Sequence, residues 1–229
     1  MNVLKIATAG SVDDGKSTLI GRILYDTNSL ADDKLEAIRK NSTQKGFDYL
    51  DFSLATDGLV AERDQGITID VAHIYFSTNK RSYIIADTPG HVEYTRNMVT
   101  GASTSQASII LIDARHGVTS QTKRHFFINN LLRIKDIVIA INKMDLVDFS
   151  QHTFNKIKKE IQTIASQSNY QDQRISFIPI SALHGDNVVS PSDRTPWHQG
   201  NTLLEYIENI ANTDEYEYAQ TRFPIQSVV

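Results

Sequence analysis

Lys16 lies in a loop whose residues have the spacing of a phosphate-binding loop. Residues 10–17 read Gly-Ser-Val-Asp-Asp-Gly-Lys-Ser, which matches the pattern G-x-x-x-x-G-K-[ST]. In this pattern backbone N–H groups surround the phosphates, the lysine reaches the β- and γ-phosphates, and the serine hydroxyl binds Mg²⁺. The pattern therefore predicts Lys16 as a catalytic residue and Ser17 as a metal ligand. The predicted nucleotide contacts of this loop are Gly10, Ser11, Val12, Asp13, Asp14, Gly15, Lys16, Ser17 and Thr18.

The segments on either side of this loop favour the same interpretation. An apolar run at 3–9 precedes it as a predicted strand, and Leu and Ile at helical spacing follow it from Ser17 to about Tyr25. A strand, a glycine loop and a helix start together direct backbone N–H groups and the positive end of the helix dipole towards an anion. A chance match in a turn is the alternative, and two further motifs in the expected order argue against it.

A second motif follows the apolar run 83–86 and reads Asp87-Thr88-Pro89-Gly90-His91, all five of which are predicted to contact the nucleotide. In nucleotide hydrolases with a phosphate-binding loop, an aspartate at such a strand end holds Mg²⁺, so Asp87 is a predicted metal ligand. Gly90 lets the backbone approach the γ-phosphate because no side chain intervenes. His91 is then placed beside the reacting phosphoryl group and is the predicted catalytic histidine, with a surface loop histidine as the alternative.

A third motif follows the apolar run 137–141 and reads Asn142-Lys143-Met144-Asp145, four predicted nucleotide contacts. The Asp145 carboxylate can accept hydrogen bonds from guanine N1–H and the 2-amino group together. Adenine offers no such pair of donors, and a buried carboxylate left unpaired strongly disfavours a ligand. Asn142 is expected to tie this loop to the phosphate loop, and the stem of Lys143 to cover the base.

A last segment, Ser181-Ala182-Leu183, follows the strand-like run 175–180 and completes the predicted nucleotide contacts. A backbone N–H in this segment is expected to donate to guanine O6. The predicted ligand is therefore GTP or GDP rather than ATP, with Mg²⁺ as the metal.

Together these motifs resemble the translation-factor class of GTPases and, within that class, the GTPase subunit of bacterial sulfate adenylyltransferase. The resemblance covers nearly the whole chain and is weakest at 26–56 and 150–174. Asp14 departs from elongation factors, which typically carry His or Ser at this position. The matching segments are 10–22, 57–70, 86–91, 94–98, 101–104 and 142–149.

The resemblance implies further roles close to the phosphates. Thr68 is expected to be the second protein ligand of Mg²⁺ within a switch segment, with a plain strand-start threonine as the alternative. Asp13 is expected to bind a monovalent cation, with a turn-shaping carboxylate as the alternative. Val12 and Ile67 match an apolar gate that keeps His91 away from the phosphates until activation.

The resemblance also implies a partner. The GTPase subunit pairs with a smaller adenylyltransferase subunit, which makes adenosine 5′-phosphosulfate and pyrophosphate from ATP and sulfate, and GTP hydrolysis drives this uphill reaction. Two alternatives remain open at this stage. One is a translation elongation factor that delivers aminoacyl-tRNA, and the other is a regulatory switch whose hydrolysis times an interaction.

Composition excludes several other classes of protein. The 229 residues contain no cysteine, which excludes disulfides, thiol catalysis and zinc fingers. No apolar run approaches the roughly 20 residues of a membrane span. Met1 leads directly into the first predicted strand, so we expect no signal peptide, no membrane and a cytoplasmic location. The formal net charge of −4 argues against a broad surface for nucleic acid.

The order of strand-like and helix-like segments predicts an α/β fold of the P-loop GTPase type, a doubly wound, mostly parallel six-stranded sheet with one antiparallel edge strand. Residues 1–212 are the predicted GTP-binding domain, and 213–229 a linker and the first strand of a following β-barrel domain. Residues 41–66 have few apolar positions and are expected to form a mobile segment. Trp197 is expected to pack rather than to bind a ligand.

Overall fold

The structure is a computed structural model that describes residues 3–55, 71–88, 95–168, 170 and 172–211. Within these ranges six strands form one sheet in the order β2-β3-β1-β4-β5-β6. The strands are β1 (Val3–Ala9), β2 (Ala72–Ser77), β3 (Ser82–Asp87), β4 (Ala107–Asp113), β5 (Asp136–Asn142) and β6 (Arg174–Pro179). The helices are α1 (Lys16–Asp26), α2 (Asp32–Gln44), α3 (Thr95–Ser103), α4 (Ser120–Leu131), α5 (Gln151–Ser166) and α6 (Leu203–Glu208). Two short 3₁₀ turns span Phe52–Ala55 and Met144–Val147.

All neighbouring strands are parallel except β2, which runs antiparallel to β3 at one edge of the sheet. This confirms the predicted sheet. The central strands β4 and β5 are buried at every residue, as expected for parallel strands that helices cover on both faces. The polar residues 77–80 between two strands are typical of a hairpin turn, and the turn here is closed by a bond from the Thr78 N–H to the Arg81 carbonyl (2.9 Å).

Alternating residues of the strands fill two separate apolar layers. Leu4 and Ile6 of β1 belong to the layer that contains residues of α1 and α6, whereas Ala7 belongs to the layer with α3, α4 and α5. Because successive strand residues point to opposite faces, β1, β4, β5 and β6 contribute to both layers, whereas the core residues of β2 and β3 belong to the layer with α1 and α6. The sheet is therefore held from both sides, and the ends of its strands are fixed in position.

The polar segment predicted for 41–66 is structured in its first part, which corrects the expectation of a mobile stretch there. Helix α2 runs to Gln44, and the ring of Phe52 is buried with its centroid 5.1 Å from that of Tyr25 on α1. Gly21 makes this contact possible, since a Cβ at position 21 would lie only 2.4 Å from the Phe52 carbonyl oxygen. Residues 56–66 lie outside the described part of the chain.

The remaining predictions about the fold concern the C-terminal part. Trp197 packs as expected, with its ring centroid 5.1 Å from that of Phe154 and its indole N–H donating to the Phe149 carbonyl (3.2 Å). The predicted linker and strand at 213–229 lie outside the described residues and stay a prediction. None of the helices in the described ranges is long and apolar enough to cross a membrane.

Gly21→Ala should destabilise the protein. In an open helical position this change would stabilise by roughly 0.5–1 kcal/mol. At Gly21 the added methyl group would collide with the backbone of Phe52, and such overpacking costs about 1–3 kcal/mol. The measurement is the free energy of unfolding in urea, with Ser166→Ala on the exposed end of α5 as a control that should stay within about 0.5 kcal/mol of the unchanged chain. Equal or greater stability of Gly21→Ala would contradict the close contact.

Candidate nucleotide-binding site

The predicted motifs meet at one edge of the sheet, where the parallel strands have their carboxyl ends. The phosphate loop follows β1, Asp87 ends β3, Asn142 ends β5, and the segment beginning at Ser181 follows β6. Ligands of open α/β sheets bind outside the carboxyl ends of the strands. The topology therefore brings together segments that are up to 171 positions apart in the chain, from Gly10 to Ser181.

The phosphate loop is held closed by its own side chains. The Asp14 carboxylate accepts a hydrogen bond from the Ser11 N–H (2.6 Å). The Lys16 ammonium donates to the carbonyl oxygens of Gly10 and Ser11, both at 2.9 Å. Burial lowers the pKa of Lys16, while the carboxylates of Asp87 and Asp14 act in the opposite direction. The cation lies folded back over the loop that is predicted to receive the phosphates.

Gly15 is at the tightest point of the loop. Its φ is +94°, in the left-handed region that glycine adopts without steric cost. A Cβ at this position would also lie 2.5 Å from the Nδ2 atom of Asn142. Both the backbone conformation and the close approach of Asn142 therefore require glycine here.

The Asn142 side chain joins two of the loops. Its Nδ2 donates to the Asp14 carbonyl (2.8 Å), and its Oδ1 accepts from the Ala182 N–H (2.9 Å). The residue is buried, so both bonds are shielded from water. The phosphate loop and the 181–183 segment are thereby held in a fixed relative position by one amide.

Lys143 links the phosphate loop to a carboxylate that the sequence analysis did not select. Its ammonium donates to the Asp13 carbonyl and lies 3.0 Å from Oδ2 of Asp113. Arg115 also binds Asp113 through two bonds, of 3.0 and 2.6 Å. Burial by itself would raise the pKa of Asp113, but the bonds from Arg115 and Lys143 outweigh it and hold that pKa well below its usual range. Asp113 ends the apolar run of β4, the same signal that identified Asp87.

Asp145 lies on the turn that follows β5, and its side chain is 13% exposed. The turn is attached to the end of β6 by a bond from the Met144 N–H to the Ile180 carbonyl (3.2 Å). The His184 ring lies 4.0 Å from the Asp145 carboxylate. The predicted guanine-binding carboxylate therefore stands beside the 181–184 segment.

Asp87 and Ser17, the predicted metal ligands within the described residues, lie at the end of β3 and in the first turn of α1. The Asp87 carboxylate is buried and accepts a bond from the Thr8 hydroxyl (3.1 Å). The Ser17 hydroxyl makes no hydrogen bond within the described part of the chain. The other predicted residues of this region, Thr68, Pro89, Gly90 and His91, lie outside the described residues, as does Ile67 of the expected gate.

Helix α4 also reaches the phosphate loop, which the sequence analysis did not anticipate. Thr119, the N-cap of this helix, has its hydroxyl oxygen 3.3 Å from that of Ser11. Further along the helix, His125 is fully buried, with its Nε2 atom 2.9 Å from Nε2 of Gln121. Burial, together with the positive charges of Lys16 and Arg124, lowers the pKa of His125 to about 3. The imidazole is therefore neutral at physiological pH.

Residues 1–213 match the model of a protein family described as the elongation factor Tu GTP binding domain. The chain belongs to this family. Membership of this family supports binding of a guanine nucleotide. The family match and the observed strand order both confirm the predicted fold class.

Curated relatives carry the resemblance further. The bifunctional enzyme CysN/CysC of Mycobacterium tuberculosis is 53% identical over 99% of this chain and 37% of its own length. Sulfate adenylyltransferase subunit 1 of Cellvibrio japonicus is 54% identical over 99% of this chain and 48% of its own length. The corresponding subunit of Bacteroides fragilis is 52% identical over 100% of this chain and 48% of its own length. The predicted resemblance is confirmed, and the GTP-binding domain spans less than half the length of these relatives.

Solved structures share the fold of the GTP-binding domain. The Ski7 GTPase-like domain of S. cerevisiae, bound to GDP and inorganic phosphate, matches with a TM-score of 0.72 and 22% identity over 90% of this chain and 48% of its own. A bacterial selenocysteine-specific elongation factor matches with a TM-score of 0.64 and 23% identity over 93% of this chain and 30% of its own. At these identities the match shows the fold alone.

The buried neutral imidazole of His125 should make stability depend on pH. Its pKa falls from an ordinary value of 6.5 to about 3 on folding, so the unfolded chain binds the extra proton between these values. The free energy of unfolding should therefore decrease as pH falls below about 6.5, by at most about 1.4 kcal/mol per pH unit from this group. Urea unfolding between pH 7 and pH 5 measures the slope. His125→Gln should reduce this pH dependence of the free energy of unfolding. The control is His152→Gln on the exposed face of α5, which should leave the slope unchanged. Equal slopes in all three proteins would contradict the lowered pKa of His125.

Proposed function

We propose that this chain binds and hydrolyses GTP and that hydrolysis supports sulfate activation by a separate adenylyltransferase subunit. The observation that carries the proposal is the Asn142 bridge between the phosphate loop and the 181–183 segment, in a chain 52–54% identical to proteins named sulfate adenylyltransferase subunit 1. The bridge joins the loop proposed to bind the phosphates to the segment proposed to bind the base. The names of the relatives supply the biological process.

Guanine is recognised from two sides in this proposal. The Asp145 carboxylate accepts hydrogen bonds from N1–H and the 2-amino group. The N–H of Leu183 donates to O6, because the Ala182 N–H is already used by Asn142 and the Leu183 N–H makes no hydrogen bond within the described residues. The Lys143 stem, extended between Asp13 and the end of β4, covers one face of the base.

Lys16 binds the β- and γ-phosphates by exchanging its two loop carbonyls for phosphate oxygens. The described residues hold no cluster of three or more acidic or histidine side chains that could bind a metal alone, which fits a Mg²⁺ whose remaining ligands come from the nucleotide and water. Ser17, Asp87 and Thr68 are the protein groups that would hold it, and the oxygen donors of Ser17 and Asp87 suit this metal. When bound, Mg²⁺ neutralises charge that develops on the phosphates.

Hydrolysis uses His91 to orient the attacking water in this proposal. Val12 is an exposed residue of the phosphate loop, and an apolar gate that it forms with Ile67 would hold His91 away before activation. A monovalent cation near Asp13 completes the proposed set of ions. The Asp13 backbone has a φ of +66°, and its carbonyl is already bound by Lys143, so its carboxylate is the group that remains for such a cation.

The proposed partner is the smaller adenylyltransferase subunit, which would bind ATP and sulfate and form adenosine 5′-phosphosulfate and pyrophosphate. GTP hydrolysis in this chain would supply the free energy. We further propose that the protein acts in the cytoplasm and does not bind nucleic acid, in keeping with its net charge of −4.

Asp145→Asn should change the base preference of the site from guanine to xanthine. The amide can no longer accept from both N1–H and the 2-amino group, and a lost bond to a charged group costs about 2–3 kcal/mol, or roughly 30- to 150-fold in affinity. Xanthosine diphosphate, which carries a carbonyl at position 2, should bind the variant more tightly than it binds the unchanged chain. Isothermal titration calorimetry with both nucleotides measures the effect. Asp148→Asn, an exposed aspartate of the same turn, is the control, and unchanged GDP affinity in Asp145→Asn would contradict the proposed contact.

GTP hydrolysis should be slow in the free protein and should accelerate when the partner is loaded. In this proposal the loaded partner binds the active conformation of the switch segments more tightly and so shifts the equilibrium towards it. The measurement is the rate of phosphate release from GTP by the full-length protein, alone and with the adenylyltransferase subunit, ATP and sulfate. Stimulation that requires both ATP and sulfate supports the proposal. Stimulation by ribosomes and aminoacyl-tRNA in its place would favour an elongation factor.

A further inference from the structure

Arg22 lies on α1 where this helix meets residues 181–185, the base-binding segment of the function proposed above. Its Nε donates to the Asp26 carboxylate (2.9 Å), one helical turn further on, which fixes the orientation of the guanidinium. Its Nη1 donates to the Leu183 carbonyl across a longer distance of 3.4 Å. The side chain is only 21% exposed, so this contact is partly shielded from water.

Two further contacts confine the guanidinium. A Cβ at Gly185 would lie 2.5 Å from Nη2 and 2.7 Å from Cζ of Arg22, so the planar group lies directly against the Gly185 backbone. Its Cζ atom is also 5.6 Å from the ring centroid of Phe52 and 5.8 Å from that of Tyr25. These distances are within the range of cation–π attraction. Arg22 therefore joins the base-binding segment to α1 and to the Phe52–Ala55 turn.

The 181–185 segment has few other attachments near Leu183. Ser181 and Gly185 are joined by a bond from the Gly185 N–H to the Ser181 carbonyl (2.7 Å), and Ala182 is held by Asn142. Among the described residues, Arg22 provides the hydrogen bond to the Leu183 carbonyl, while the N–H of the same residue is unpaired. The orientation of the Leu183 N–H thus depends on the bond that Arg22 makes to the carbonyl group of the same residue.

We propose that Arg22 is a positioning residue for base recognition, which holds Leu183 so that its N–H points at guanine O6. The inference rests on the guanine contacts proposed above and adds to them a residue that does not touch the nucleotide. The planar guanidinium can donate to Leu183, pair with Asp26 and lie flat on Gly185 at once. A lysine at this position would keep the charge but not this geometry.

Binding affinities for three nucleotides distinguish a positioning role of Arg22 from a general structural role. GDP offers all the contacts, 6-thio-GDP replaces O6 by sulfur, which is a weak acceptor, and IDP lacks the 2-amino group that Asp145 would bind. In the full chain, Arg22→Ala should lower GDP affinity by about tenfold, the effect of one lost hydrogen bond. Affinity for 6-thio-GDP should change far less, and the ratio of GDP to IDP affinity should not change.

Arg22→Lys and Arg81→Ala complete the design. Arg22→Lys should lose most of the GDP preference over 6-thio-GDP, which keeps the test valid even where the alanine variant is poorly folded. Arg81→Ala removes another bond from an arginine to a carbonyl, that of Ile210 (2.9 Å), at the opposite edge of the sheet. This control should bind all three nucleotides as the unchanged chain does. Calorimetry gives the affinities, and thermal unfolding reports the folding of each variant.

The possible results distinguish this inference from the function on which it rests. If the unchanged chain prefers GDP to 6-thio-GDP and Arg22→Ala keeps that preference, or loses affinity for all three nucleotides equally, the positioning role is wrong and the guanine site stands. If the unchanged chain itself binds GDP and 6-thio-GDP equally, the proposed O6 contact is wrong, and the inference about Arg22 is overturned with it.

Discussion

The buried amide of Asn142 is the interaction on which the rest of the site depends. It binds the phosphate loop through the Asp14 carbonyl and the 181–183 segment through the Ala182 N–H. Each bond contributes roughly 1 kcal/mol to stability, but a buried group left without its partner costs about 1–3 kcal/mol. Since the Asp14 carbonyl and the Ala182 N–H would lose their partner together, the amide constrains its neighbours more than two independent hydrogen bonds would. The glycine at position 15 is one such constraint, because any larger residue would displace the amide.

The sheet order explains why a side chain can bridge these loops. Strand β4 lies between β1 and β5, so the link from Asn142 to the phosphate loop must cross the end of β4. Asp113 ends that strand directly opposite Asn142 in the register. Its carboxylate holds Lys143, which in turn reaches the Asp13 carbonyl. Asp113, at the end of β4, thus supports a second connection between β5 and the phosphate loop, made by Lys143, in addition to the one made by Asn142.

Local sequence patterns predicted the elements and the loops, because each depends on neighbouring residues. The phosphate loop, the buried runs of β4 and β5 and the hairpin before Ser82 are all encoded within fewer than ten positions. The missed features depend on contacts between distant residues. Arg22 and Leu183 are 161 positions apart, and the Phe52 turn is ordered by the absence of a side chain at Gly21. The sequence next to Arg22 or Gly21 does not indicate which distant residue will pack against either of them.

The folded-back Lys16 has a consequence for which ligands the site can accept. Its ammonium is already solvated by two carbonyl dipoles, so a ligand must offer more than they do to displace them. Phosphate oxygens carry full negative charge and form stronger bonds to a cation than carbonyls do. A free base or nucleoside offers no such oxygens, so Lys16 would keep its two carbonyl partners. For a phosphate ligand, this lysine would therefore contribute to affinity only the difference between its bonds to phosphate and its bonds to the loop.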